Sequence, residues 1–150
     1  MPISRNGETK MIIYDADNQI LGRLCSVIAK KLLEGEKVAV VNSEKAVLAG
    51  NSKSKQEFYL KKYHRGDALK GPFFPKQPDL ILRRTVRGMI PWDRNKGRKA
   101  YKNLKVFIGL PDEFKNKKLE RIEGADASKL KGSYTTLGNI SISIGAKKKW

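Results

Sequence analysis

Arg83, Arg84 and Arg87 are the side chains of this sequence best spaced to act together. At 100° per residue on a helix they fall within about 100° of one another. Guanidinium groups make forked hydrogen bonds to phosphate oxygens, and lysines add point charges. The run Gly88-Met89-Ile90-Pro91-Trp92 follows directly, adding a bare backbone approach, an adaptable apolar side chain and a stacking ring. A second basic strip, Lys61-Lys62-Tyr63-His64-Arg65, also carries aromatic side chains, with Phe73 and Phe74 close behind it. Stacking on unpaired bases beside a charged backbone track is a common way to hold RNA. Trp92, Phe73 and Phe74 read equally well as core residues, and the three arginines also fit a solvated helix face.

Other chemistry finds little support. His64 is the only histidine and lacks a serine, cysteine or carboxylate beside it. It therefore reads as a stacking or hydrogen-bonding member of its basic strip rather than as a catalytic base. Cys25 falls on an apolar helical face, where a small buried hydrophobe is expected rather than a nucleophile. One cysteine and one histidine are too few for a zinc site. The turn Asp15-Ala16-Asp17-Asn18-Gln19-Ile20-Leu21-Gly22 stands where a doubly wound protein binds a nucleotide. It holds one glycine and two aspartates, so it reads as a turn with helix-capping residues. No catalytic residue, cofactor or metal site is expected.

Charge supports the nucleic-acid reading. The 150 residues include 32 Lys and Arg against 15 Asp and Glu, a formal charge of +17. Residues 51–105 alone carry 16 basic and 4 acidic side chains, a net of +12, while residues 1–50 are nearly neutral. A surplus concentrated in this way is expected of a binding surface for a large anion. No apolar run approaches the ~18 residues of a membrane span. The polar stretch Met1–Lys10 lacks the apolar centre of a secretory signal. The expectation is one soluble, intracellular domain over 1–150, with a core of about 11–111 and a C-terminal extension over 112–150. No small-molecule substrate is expected.

The elements that must position these residues follow from periodicity. Residues 11–16 and Val38–Val41 are short apolar runs and read as buried strands. Between them Leu21, Leu24, Cys25, Ile28 and Leu32 recur every three or four residues, an amphipathic helix stopped by Gly35. Asp15, Asp17 and Asn18 are its candidate turn and cap residues. Strand, helix and strand in this order form a βαβ unit with parallel strands. Ala46–Ala49 suggests a third strand. A helix over Lys55–Tyr63 follows, capped by Ser52 or Ser54, with Phe58 and Leu60 on its apolar side. Residues 64–79 read as a long Gly- and Pro-rich loop, which leans functional. Asp79–Ile90 reads as a helix with Leu82, Val86 and Met89 on one face and Pro78 in its first turn. Residues 94–105 suggest a short basic helix with Ala100, Tyr101 and Leu104 inward, and Val106–Leu110 another strand. Residues 137–144 alternate as a strand would, yet Thr135 or Thr136 would equally cap a helix there.

These strings resemble a known family. Leu82-Arg83-Arg84-Thr85-Val86-Arg87-Gly88-Met89-Ile90-Pro91 is similar to the signature of ribosomal protein L13 of the large subunit, the universal uL13 family. Ile20-Leu21-Gly22-Arg23-Leu24, Val40-Val41-Asn42-Ser43-Glu44, and Gly97-Arg98 through Leu104-Lys105-Val106 resemble it too, in order, over about residues 11–111. Gly71-Pro72-Phe73-Phe74-Pro75 looks like the archaeal and eukaryotic branch, and the length suits the archaeal type.

The resemblance implies an α/β protein with three α/β/α layers on a parallel sheet of about four strands, and a short helix near residues 137–144. It implies a structural role in the cytoplasmic ribosome, with large-subunit rRNA and neighbouring large-subunit proteins as partners. Carried to this chain, the rRNA contacts fall on Lys53, Lys55, Lys61, Lys62, Tyr63, His64, Arg65 and Lys70. They continue over Arg83, Arg84, Arg87, Gly88, Trp92, Arg94, Lys96, Arg98 and Lys99. Two rivals from other classes remain at this point. One is an RNA-modifying or nucleotide-dependent enzyme with its pocket at the turn after the first strand. The other is a free regulator that binds mRNA.

Overall fold

Alternation along two short strands sets the architecture. In β1 (Met11–Asp15) and β2 (Lys37–Val41) successive side chains point to opposite faces. Tyr14, Val38 and Val40 join one buried cluster, whereas Ile13, Ala39 and Val41 join another. Both faces are covered, so the strands read as continuous apolar runs rather than as alternating ones. The structure is a computed structural model that describes residues 10–150; the polar stretch Met1–Lys10 lies almost wholly outside the described residues.

The parallel sheet has the order β1-β2-β4, with β4 at Leu104–Val106. Helix α1 (Leu21–Leu33) joins β1 to β2 and buries Leu21, Leu24, Cys25, Ile28 and Leu32. Its end follows the expected signal. Gly35 takes φ +92°, the Gly35 N–H donates to the Leu32 carbonyl and the Glu36 N–H to the Lys31 carbonyl. The connection from β2 to β4 spans residues 42–103 and holds β3 (Val47–Ala49), α2 (Ser52–His64), α3 (Pro78–Gly88) and α4 (Asn95–Lys102). The tail returns as β5 (Tyr134–Thr136) and α5 (Leu137–Ile144). The α/β class therefore stands.

Several expectations change in detail. The parallel sheet has three named strands, with a single parallel bridge from Tyr14 to Glu120 on its β1 edge, and β3 pairs antiparallel with β5 in a separate sheet. One face carries the main helical core. The other is covered by Phe107, Phe114 and Leu119, with no α-helical residue in that cluster, where three full layers would place helices. The strand near residue 106 is Leu104–Val106, not Val106–Leu110. The Phe107 N–H still donates to the Val40 carbonyl, but Gly109 then turns at φ +68°. Helix α2 is capped by Asn51, whose side chain accepts the Lys53 N–H at 2.9 Å, not by Ser52 or Ser54. Its inward residue is Tyr59, and Phe58 and Leu60 are exposed. Two residues apart on a helix means about 200° apart, so those two could not share a face. Met89 lies past the end of α3 and is also exposed.

Helix α1, unlike α2, has no side-chain cap. Asp15 Oδ1 instead accepts from the Asp17 N–H at 3.0 Å and from Asn42 Nδ2 at 2.9 Å, and Asn18 adopts φ +56°. The start of α1 is tied to the tail: the Ile20 N–H donates to the Ala125 carbonyl at 2.6 Å. Residues 137–144 form the helix and not the strand. Leu137, Ile140, Ser141 and Ile144 bury one helical face while Ile142 stays exposed.

The Thr136 side chain caps α5 by accepting the Asn139 N–H at 3.3 Å. Thr136→Ala should cost about 1 kcal/mol of stability, the usual loss of such a cap. Chemical denaturation checks this; an unchanged midpoint would mean that packing alone holds the start of α5.

Candidate nucleic-acid interface

Helix α3 positions the three arginines. Ile81, Leu82 and Val86 anchor it in the core, which turns Arg83, Arg84 and Arg87 to a partly exposed side. Each guanidinium rests on a ring. Arg87 lies over Trp92 at 4.3 Å, Arg83 over Tyr101 at 4.8 Å, and Arg84 over Phe74 at 5.5 Å from the centroid. Arg84 Nη1 also donates to the Phe73 carbonyl at 2.9 Å. A guanidinium resting on a ring is steadied by the cation–π attraction and can still donate N–H groups to an outside acceptor. Arg83 Nε is buried and has no acceptor within the protein.

Pro91 stops α3, and the chain turns through Trp92 into α4. Gly97 makes the turn close. A Cβ there would strike the Pro91 carbonyl oxygen and come within 2.9 Å of Ile90 Cγ2. Arg98 Nε donates to the Trp92 carbonyl at 2.9 Å and fastens α4 back onto the turn. Trp92 and Tyr101 meet edge to face at 5.1 Å. Gly88 differs from Gly97: no protein atom lies within 4 Å of where its Cβ would stand. The fold itself therefore has no need of glycine at 88.

The second strip joins the first through Phe74. Its ring packs on Tyr59 at 6.0 Å and lies under both Lys62 and Arg84. Lys62 also sits 4.5 Å from the Phe58 centroid, and Lys76 sits 4.7 Å from that of Tyr63. Tyr63 and His64 meet edge to face at 5.2 Å. Lys61 and Arg65 are exposed beside them.

The predicted residues thus divide. Arg83, Arg84, Arg87, Trp92 and Arg98 form one stacked cluster, and Lys62, Tyr63 and His64 a neighbouring one. Arg94, Lys96 and Lys99 are exposed on or just before α4. Lys53 and Lys55 sit at the opposite end of a 13-residue helix, about 10–14 Å of rise from Lys62. Lys70 is exposed in the loop before Phe73, and no contact ties it to either cluster. Sequence reasoning missed Tyr101 and Lys76, and it left Phe74 open between core and stacking. Arg83 and Tyr101 are brought together only by the fold, so no local spacing announces them.

Electrostatics agree with a surface made for an external anion. Among the described residues, the ion pairs join Lys31 to Glu34 and Glu36, and Lys115 to Asp112, all outside residues 51–105. None of the 16 cations of that block has, among the described residues, a carboxylate within the 4.0 Å of an ion pair. The other candidate sites are occupied by structure. Burial pushes the Cys25 thiol up to about 12, which leaves no thiolate at neutral pH. The turn after β1 is closed by the tail. The Asp15 N–H donates to Glu120, the Ala127 N–H to Asn18, and Arg121 Nη2 to the Asp17 carbonyl.

Gly97→Ala should force α4 away from the Pro91–Trp92 turn. Overpacking of this kind costs about 1–3 kcal/mol. A melting curve should drop accordingly, and Trp92 emission should shift as the Tyr101 contact opens. A stable variant with unchanged emission would contradict the close approach.

Comparison with known proteins agrees with the sequence strings. The family model for ribosomal protein L13 matches residues 9–113. The large ribosomal subunit protein uL13 of Methanopyrus kandleri is 48% identical over 136 residues, covering 89% of this chain and 86% of its own. That of Archaeoglobus fulgidus is 47% identical over 135 residues, with 89% and 86% covered. That of Sulfolobus acidocaldarius is 41% identical over 149 residues, with 96% and 99% covered. With the family model spanning the sheet, α1 and the whole arginine crossover, and relatives aligned well into the tail, the chain belongs to the ribosomal protein L13 family.

Proposed function

We propose that this protein is a structural constituent of the large ribosomal subunit that binds and stabilises large-subunit rRNA through the crossover between β2 and β4. The carrying observation is the arginine set on α3, placed over the rings of Trp92, Tyr101 and Phe74 and, among the described residues, in no ion pair with a carboxylate. Held guanidinium groups offer phosphate a ready fork, so less side-chain freedom is lost on binding. Membership of the family supports the ribosomal setting, and with it a place in the cytoplasmic ribosome beside other large-subunit proteins. Gly88, which the fold leaves uncrowded, suits a close approach of the RNA backbone.

The tail belongs to the same working unit in this reading. Leu137, Ile140 and Ile144 join the main core, and β5 pairs with β3. The role asked of the chain is positioning and charge neutralisation, with no reaction step. Against the enzyme reading stands the turn after β1, where segment 120–127 takes backbone groups of Asp15, Asn18 and Ile20.

The test is binding to large-subunit rRNA across salt. If about 8 phosphates are neutralised, log K falls against log salt with a slope of about −6 to −7. Replacing Arg83, Arg84 and Arg87 together by Ala should make that slope shallower by about 3. The stacking lost is only about 0.5–1 kcal/mol per exposed cation–π pair, so the variant should stay folded. A slope unchanged by the triple substitution, or affinity indifferent to salt, would contradict the proposal.

A further inference from the structure

A cleft of about 350 Å3 opens beside α4, lined by Trp92, Asn95, Arg98, Lys99, Tyr101 and Lys102. That volume stands at the lower end of the roughly 300–1,000 Å3 that encloses a small ligand. Trp92 and Tyr101 stand at 88° to each other and form an aromatic corner. Arg87 and Arg83 stack on these same two rings, which braces the corner from outside the cleft's lining. Three of the remaining lining side chains are cations, no carboxylate lines the cleft, and Asn95 offers both an amide donor and an acceptor.

These features select an occupant. A bare phosphate has no use for two rings, and a neutral apolar ligand has no use for three cations. A flat ring joined to an anion uses both. We propose that the cleft takes a single unpaired nucleotide of the bound RNA. The base stacks on Trp92 or Tyr101, Asn95 serves the base edge, and Arg98, Lys99 and Lys102 serve the flanking phosphates. Every base has a π-face, so such a site tolerates sequence. This rests on the RNA-binding function proposed above. It adds Asn95, Tyr101 and Lys102 to the interface and gives Trp92 two roles, a platform for Arg87 and a wall for a base.

The chain has two tryptophans, Trp92 and Trp150, so Trp150→Phe leaves Trp92 as the only indole reporter. The probes are single-stranded octa-adenylate and octa-uridylate, with inorganic polyphosphate of matched length as a polyanion without bases. Both oligonucleotides should quench Trp92 emission as they bind, and polyphosphate should bind without quenching. In the otherwise unaltered chain, Trp92→Leu should weaken oligonucleotide binding roughly 5- to 100-fold at an unchanged salt slope, the signature of lost stacking. Lys99→Ala should instead make the slope shallower by about 1. Oligonucleotide binding without quenching, equal quenching by polyphosphate, or failure of both oligonucleotides while rRNA still binds would each overturn the nucleotide cleft and leave the rRNA reading intact. Failure of rRNA and oligonucleotides alike would remove both.

Discussion

Parallel pairing of β2 with β4 is the constraint on which the rest depends. Neighbouring parallel strands cannot be joined by a tight turn; the chain must leave the sheet and travel back to its starting edge. Here that return occupies residues 42–103, and most of the basic excess lies inside it. The sheet and α1 form a nearly neutral frame. The crossover is anchored to that frame by Tyr59, Ile81, Leu82, Val86, Ile90 and Ala100, and the exposed residues between those anchors are available for an outside partner. A basic surface is thereby carried by rigid helices without the core having to accept charge.

Concentrating like charges needs to be affordable in energy, and the numbers show that it is. Two unit charges 10 Å apart in water repel by about 0.4 kcal/mol before screening, and physiological salt reduces this further. Each guanidinium–ring stack offsets a cost of that size by about 0.5–1 kcal/mol. The rings Trp92, Tyr101 and Phe74 thus hold the cations in place on a surface whose few carboxylates make no described ion pair with them. The aromatic residues and the arginines act together: the rings steady the guanidinium groups, which keep N–H donors to offer a phosphate.

Much of this was legible in the sequence, for local reasons. The alternating core of β1 and β2, the 3.6-residue period of α1 and α3, and the stops at Gly35 and Pro91 are each decided within a few residues. The clustering of charge was a matter of counting. What was not legible depends on distant partners. The tail supplies β5, the antiparallel partner of β3, and the Ala125 carbonyl that accepts the Ile20 N–H just before α1, and no spacing within residues 15–50 carries that information. Three alternating isoleucines at 140–144 mimic a strand, but Leu137 and the Thr136 cap make the helix, and only burial of Ile140 and Ile144 together decides it. The arginine residues were found from their spacing, whereas Tyr101 as the platform for Arg83 required the fold.

The central claim is directional: one side of the molecule, the crossover, meets the RNA. Lysine acetylation followed by mass spectrometry, with and without bound large-subunit rRNA, tests it most directly. All the lysines compared are exposed or partly exposed, so each reports on cover by the RNA rather than on burial by the fold. The account predicts that Lys61, Lys62, Lys96 and Lys99 become protected while Lys37, Lys115, Lys117 and Lys118 stay reactive. Protection spread evenly over both sets, or confined to the second, would contradict it.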